Sequence, residues 1–291
     1  MKLSMSILVR DEVDIIAENI RFHAGQGVEQ FVVTDNASQD GSRELLEELS
    51  KTYPIKVFDE PSHTIDQDIW VTRMAMWLRD NTDTQWVINN DSDEFWFSES
   101  GTLKEGLQSV LDKMADSDQQ PGVLHCKRFN LLPDERAVSS GQYKFFQNCF
   151  RVDKSLEAGF FDDGLNVLYT DQGTKVITRI DGLQSIDMGN HDASHLASTA
   201  HCETIAIAHY PIRTYEQFVK KVTNHGSSIK NNTRFGDDIN WHLRTWYDMY
   251  QRGELYDEYL KYVVSDDIKE QLVKRGVLSL DRSMERYFGD A

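Results

Sequence analysis

The segment WVINNDSDEFW (86–96) sets three carboxylates, Asp91, Asp93 and Glu94, between a strand-like apolar run and a return to aromatics. Carboxylates crowded together raise each other's pKa unless a cation sits among them. The cluster therefore reads either as a solvated turn or as a holder for a cation. A helix-flanked calcium loop does not fit, because its central Gly and its repeat of oxygen ligands are missing. A hard ion such as Mg²⁺ or Mn²⁺, which prefers carboxylate oxygens and keeps several waters, does fit. Other residues of the same chemical kind are Asp11-Glu12, Asp35 and the late histidines at 191, 195, 201 and 209. In GNHD, His191 and Asp192 can each accept a hydroxyl proton, as can Asp162 and Asp163, and the sequence does not choose among them. His191 and His195 are four apart, as in a helical zinc pair, but no third ligand follows at a suitable spacing. Lys175 and Lys221 are candidate phosphate partners or, more plainly, surface lysines.

The elements that must carry these groups alternate. KLSMSILV (2–9) reads as a strand, and Val13, Ile16, Ile20 and His23 give helical spacing over 12–24, stopped by Gly25 and Gly27. FVVTD (31–35) is a second strand, followed by a turn in which Asp40 and Gly41 close onto a helix capped by Ser42. IKVFD (55–59) is a third strand, 66–80 a helix with Trp70, Met74 and Trp77 as core, and WVINN (86–90) a fourth strand. Such alternation predicts an α/β fold with a mainly parallel, Rossmann-like sheet flanked by helices. Ligands of open sheets bind beyond the carboxyl ends of the strands. Asp11-Glu12, Asp35 and Asp91/Asp93 all fall at such ends. Further on, 103–114 is helical, and 123–129, 145–152 and 175–180 look like strands. Residues 181–208 read as irregular, and the chain is helical from about 214 onward. The expected organisation is a domain over 1–210 and a helical extension over 211–291 that packs on it. Trp96 and Phe97, just past the acidic cluster, are candidates to line a sugar site.

The charge balance, 31 basic against 48 acidic residues or −17 overall, excludes a nonspecific nucleic-acid binder. The modest basic patch is Lys220-Lys221 with Arg213, through which a peripheral membrane contact could be made. A hydrophobic fraction of 40% and an aromatic fraction of 11% indicate a globular protein. Three scattered cysteines, Cys126, Cys149 and Cys202, point to a reducing compartment. With no signal-like N-terminus and no transmembrane segment, a soluble cytoplasmic protein is expected.

The first 97 residues also carry a series of motifs. SILVRDE, the Gly-Val before the second strand, DNASQDGS (35–42) and DSD (91–93) resemble the nucleotide-sugar-dependent glycosyltransferases of GT-A fold, most closely the family 2-like branch. DNASQDGS departs from the family pattern at Asn36 and Ala37, and Arg10-Asp11 stands where the family usually has Tyr-Asn. The resemblance thins to KVITR, GNHD and HYPIRTYEQFVKK beyond. It implies a metal-dependent transfer of a sugar from a UDP-sugar to a hydroxyl of a glycan or glycoconjugate, with inversion, as in polysaccharide biosynthesis. It places Asp93 on Mn²⁺ or Mg²⁺, with Asp91 reaching the metal through water or holding the ribose. Glu94 would lie just outside the ion or face solvent. Asp35 would meet the nucleoside, flanked by Asp11 and Glu12. His209 resembles the late histidine that completes the metal site, with His191 as its rival, and Arg213 could meet the phosphates. His191, Asp192 and Asp163 are the candidates for acid–base work. A nucleotidyltransferase would need a basic, Gly-rich phosphate loop where VRDEVDII stands; a non-catalytic nucleotide or sugar binder is the other alternative.

Overall fold

The computed structural model describes residues 1–62, 66–114, 120–161, 166–230 and 241–289. In chain order its first elements are β1 (Leu3–Val9), α1 (Ile16–Gly25), β2 (Gln30–Asp35), α2 (Ser42–Leu49) and β3 (Ile55–Asp59). Then come α3 (Gln67–Asn81), β4 (Trp86–Asp91), β5 (Glu94–Ser98), α4 (Leu103–Lys113), β6 (Val123–Leu132), α5 (Arg136–Ser139) and β7 (Phe150–Val152). They are followed by β8 (Thr174–Arg179), β9 (Leu183–Ile186), β10 (Ala193–His195) and β11 (Thr199–His209). The remainder is α6 (Tyr215–Lys230), α7 (Trp241–Arg252), α8 (Leu255–Tyr262), α9 (Asp266–Lys274), β12 (Leu278–Leu280) and α10 (Ser283–Gly289). Two compact units divide the chain: Met1–Arg128 with Gly173–Ala208, and Phe129–Gln172 with His209–Ala291. The boundary expected near 210 thus falls where the second unit resumes, and 129–172 belongs with the C-terminal residues.

The first unit is built on strands in the order β3-β2-β1-β4-β8-β6. The first four are parallel, β8 runs antiparallel to β4, and the first residues of β6 run antiparallel to β8. Alternate side chains go to opposite faces, as the pleat requires. Phe31 and Val33 join Ile16, Ile20, Leu103 and Leu107 on one face, whereas Val32 joins Val71, Met74 and Leu78 of α3 on the other. Both faces being covered, β1 and β4 are buried along almost their whole length, polar residues included. The hydroxyls within β1 are paired: Ser4 with Thr84 at 2.6 Å, and Ser6 donating to Asn89 at 3.1 Å. Helix α4 starts on a capping box of Thr102 and Glu105.

The strands expected at 2–9, 31–35, 55–59 and 86–90 appear to within one residue at either end. The helix expected over 12–24 begins only at Ile16, because Asp11 at φ 55° turns the chain first. Ser42 does not cap α2. Its hydroxyl donates to Asp40 at 2.6 Å and accepts the Glu12 N–H at 2.9 Å, tying two loops together. The stretch 181–208, expected to be irregular, holds β9, β10 and most of β11. Of 145–152 only Phe150–Val152 is a strand, preceded by a 3-10 turn at Phe145–Gln147.

In the second unit β7 pairs with the end of β6 and with β12, both antiparallel. Its helices pack through aromatic rings, among them Phe218 against Trp246 at 5.0 Å and Tyr215 against Tyr259 at 5.6 Å. Buried Glu258 there accepts from Trp246 Nε1 at 3.0 Å and from Lys261 at 2.8 Å. No helix among the described residues is long and apolar enough to cross a membrane.

Candidate active site

Sheet register decides which groups meet. In the parallel ladders Asp35 lies beside Val9, and Asp91 beside Leu8. Asp11, Asp35 and Asp91 therefore share the carboxyl end of the sheet, where ligands of such sheets bind. Because β8 runs against β4, its first residues arrive at that same end: Ile88 faces Ile177, and Lys175 is two residues nearer Asp91. β6 runs against β8 in turn, with Lys127 facing Thr174, so Arg128 arrives there too.

The acidic cluster is neither solvated nor bare. Lys175 is only 1% exposed; its Nζ donates to Asp91 Oδ2 at 2.5 Å and lies 3.1 Å from Glu94 Oε1. Arg128 donates to the same Glu94 oxygen at 2.8 Å. The plain reading of Lys175 as a surface lysine is thus corrected, and so is a solvent-facing Glu94, which is fully buried. Burial is the largest influence on the Asp91 pKa and works to raise it, but the charge and hydrogen bond of Lys175 together with the charge of Arg128 carry the carboxyl below its ordinary value. For Glu94 burial wins, and its pKa is raised despite the two cations. Asp91 Oδ1 accepts from Gln67 at 2.9 Å and from Asn190 at 3.1 Å. Gln67 also accepts the Gly189 N–H at 3.2 Å, so the GNHD loop between β9 and β10 is bonded to the DSD turn.

The turn is held from beneath by a buried polar network. Asn19 Nδ2 donates to the carbonyls of Ser92 and Glu94, each at 2.8 Å, and so clamps the backbone on both sides of Asp93. His23 Nδ1 lies 2.8 Å from the Asn19 carbonyl, and its Nε2 accepts the Trp96 N–H at 3.0 Å. With both nitrogens so engaged the ring is neutral, and burial pushes its pKa down to about 3. Trp96 is fully buried and donates from its indole to Asn90 at 2.8 Å, so it is core and does not line a sugar site.

In the loop after β1, Asp11 accepts the Gln39 N–H at 2.6 Å and gives its own N–H to Ser38 at 2.9 Å. Asp35 is 3% exposed and accepts from Ser38 N through one oxygen at 3.2 Å, while its Oδ1 has no partner among the described residues. Burial pushes the Asp35 pKa up, against the Ser38 hydrogen bonds and Arg43. Glu12 is buried in the same loop.

Of the proton-acceptor candidates, His191 is exposed, with Nδ1 2.7 Å from the Thr174 carbonyl. Nδ1 therefore carries the hydrogen and Nε2 the lone pair. Partial withdrawal from water, with the positive charges of Lys175 and Arg128, pushes its pKa down to about 4. Gly189, at φ 75°, is needed here, since a Cβ would come within 2.7 Å of the His191 ring. Asp192 is exposed and lies 3.5 Å from His125 Nε2. Asp162 and Asp163 lie outside the described residues. His195 is structural: Nε2 meets the Arg179 carbonyl at 3.1 Å and Nδ1 accepts from Ala197 at 2.8 Å, which leaves no nitrogen for a zinc pair with His191.

Two expected site residues belong to the second unit. His209 Nδ1 lies 2.7 Å from Asn130 Oδ1, whose amide nitrogen donates to the Leu168 carbonyl, so the His209 lone pair is on Nε2, as a metal ligand requires. Arg213 is 1% exposed and donates to the Tyr210 carbonyl at 3.3 Å; it is not part of a surface basic patch. Among the described residues no three His, Cys, Asp or Glu side chains gather into a metal cage. The donor chemistry of Asp93, 5% exposed at the turn, suits an ion that keeps waters and takes phosphate oxygens rather than one caged by protein. Gln67, Asn190 and Asn19 were not visible as site residues in the sequence, and Lys175 stood there as a candidate phosphate partner, not as the partner of Asp91 and Glu94. Only the register of β8 against β4 points to that pairing.

A family model described as glycosyltransferase family 92 matches residues 3–250. No curated protein matches the chain. Among solved structures, that of S. aureus TarS 1–349 with UDP-GlcNAc is similar at 14% identity and a TM-score of 0.42, over 81% of this chain and 68% of that one. The S. aureus TarS 1–349 complex with UDP is similar at 14% identity and a TM-score of 0.41, over 94% and 78%.

Proposed function

Since the chain belongs to glycosyltransferase family 92, with a GT-A-type fold, we propose that it carries a sugar from a UDP-sugar to a hydroxyl of a glycan or glycoconjugate, with inversion. The observation that carries this reading is the bonding of the DSD turn to the GNHD loop through Asp91, Gln67 and Asn190. It ties the turn that carries Asp93 to the loop that carries the neutral imidazole of His191, which supports reading Asp93 as the diphosphate-side carboxylate and His191 as the proton acceptor. The Oδ1 of Asp35, without a partner among the described residues, suits a nucleobase N–H, with Asp11 and Glu12 shaping the loop around the nucleoside.

The acceptor oxygen attacks the anomeric carbon as the bond from that carbon to the diphosphate oxygen breaks. The electron pair leaves with the diphosphate. The acceptor proton goes to His191 Nε2, or to Asp192 beside it. Asp93 would hold Mn²⁺ or Mg²⁺, which supplies charge stabilisation to the departing diphosphate. Asn19 keeps the Asp93 backbone in register, and Lys175 and Arg128 keep the surrounding acids from repelling an anionic substrate.

The test is turnover of a panel of UDP-sugars with and without Mn²⁺, in wild type and Asp93→Asn. Loss of metal-dependent turnover by at least about a hundredfold is expected from removing one electrostatic contact to the transition state. Wild-type turnover by Asp93→Asn, with an unchanged metal profile, would remove the assignment.

A further inference from the structure

The acidic turn carries its own cation. Three carboxylates stand there against Lys175 and Arg128. An ammonium has three donor directions, and two of those on Lys175 point at Asp91 and Glu94. Lysine is almost never this deeply buried unless paired. Its place is fixed by a strand, not by a loop, because the β4–β8 register brings it to the end of β4. The second oxygen of Asp91 is also engaged, by Gln67 and Asn190. Both oxygens of the first acid of the DSD motif thus hold donors of the chain itself.

We propose that Lys175 is a positioning residue of the donor site, an internal counter-ion that fixes Asp91 and Glu94 and keeps Asp91 off the divalent ion. Asp93 is then the DSD carboxylate that meets the metal. The inference rests on the reading of Asp93 given above, and it goes further by dividing the two acids of the motif between two cations. A divalent ion and the Lys175 ammonium compete for the same Asp91 oxygen. Truncating one partner of a buried ion pair leaves the other charge uncompensated. Without Lys175, Asp91 loses its ion-pair partner, Glu94 keeps only Arg128, and the two acids bind whatever cation is offered.

The experiment is calorimetric titration of Mn²⁺ alone into the full chain, as wild type, Lys175→Met, Lys175→Arg, Asp91→Asn and Asp93→Asn, with UDP titrated in parallel. Lys175→Met should bind Mn²⁺ at least about tenfold more tightly than wild type, because freed carboxylates raise the ligand charge of the site. Lys175→Arg, which keeps the charge, should restore the wild-type affinity. Asp91→Asn should leave Mn²⁺ affinity within about twofold of wild type, whereas Asp93→Asn should lower it by about tenfold or more. An ion pair that only supports the fold would lose Mn²⁺ affinity together with stability in Lys175→Met. No gain in that variant overturns the proposal. So does an equal loss of Mn²⁺ affinity in Asp91→Asn and Asp93→Asn, which decides the matter if Lys175→Met does not fold. Failure of wild type to bind UDP would count against the nucleotide-sugar reading, and unchanged Mn²⁺ binding in Asp93→Asn against the Asp93 assignment. In both cases the gain or its absence in Lys175→Met still decides the role of Lys175.

Discussion

At the scale of single residues, the same charge has different uses according to what faces it. Asp35 and Asp91 both end parallel strands, yet Asp91 is saturated by chain donors while Asp35 keeps a buried oxygen without a partner among the described residues. An unsatisfied buried acceptor is costly unless a ligand completes it. Asp35→Ala should therefore weaken UDP and a UDP-sugar equally, by about tenfold, the scale of one charge-assisted hydrogen bond. Direct binding measurements check it, and unchanged UDP affinity would show that Asp35 does not meet the nucleoside. His191 gives a second test. With its pKa pushed down to about 4, the imidazole is a neutral acceptor throughout the physiological range. His191→Ala should lower kcat by about a hundredfold or more, the scale of general-base catalysis, while UDP affinity stays as in wild type. Equal loss of both would make His191 a binding residue instead. The acids and His191 were legible in the sequence because motif and strand end coincide. The pairing of Lys175 with two of those acids was not, since they lie 84 and 81 positions away and only the antiparallel pairing of β8 makes them neighbours.

At the scale of elements, the α1–β5 junction decides whether the DSD turn exists at all. Asn19 and His23 sit one turn apart on α1 and between them engage the backbone at Ser92, Glu94 and Trp96. The apolar spacing of α1 was readable, but it suggested His23 only as a core face, because a helix periodicity says nothing of what lies across from it. Similarly the first part of β11 reads as irregular, since its HCET run hides the alternation expected of a strand, whereas AIAH at its end reads as strand-like. The His23 network makes a stability prediction with a definite sign. The folded ring resists protonation down to about 3, whereas the unfolded ring takes a proton near 6.5. Between those values the unfolded chain binds the extra proton, so stability falls as pH drops through that window. The contribution approaches about 1.4 kcal/mol per pH unit at its steepest. Chemical denaturation of wild type and His23→Gln at pH 7, 6, 5 and 4 reads it directly. The variant should be less stable at pH 7 and show a shallower fall toward pH 4. Parallel curves for the two proteins would show that His23 is not held neutral.

At the scale of the whole molecule, the chain leaves its first unit at Arg128 and returns to it at Gly173. No linker composition marks those points, because the first crossing is made in the middle of a continuous strand, β6. That is why a single boundary near 210 was the natural expectation from composition. The net charge of −17 was legible at once, and it bears on catalysis. A nucleotide sugar is itself an anion, so the field of the whole protein opposes its approach, while Lys175 and Arg128 cancel the acids only locally. Salt distinguishes the two ranges. The Debye length falls from about 30 Å at 0.01 M to about 8 Å at 0.15 M, which screens the distant charges and leaves a buried pair almost untouched. Raising the ionic strength over that interval, at fixed excess Mn²⁺, should therefore lower the KM for a UDP-sugar by about twofold or more, through faster encounter, with kcat unchanged. A basic cleft would give the opposite trend. A KM that rises with salt would mean that cations around the carboxyl end of the sheet outweigh the rest of the molecule, and that the donor is drawn in by its site rather than admitted against the field.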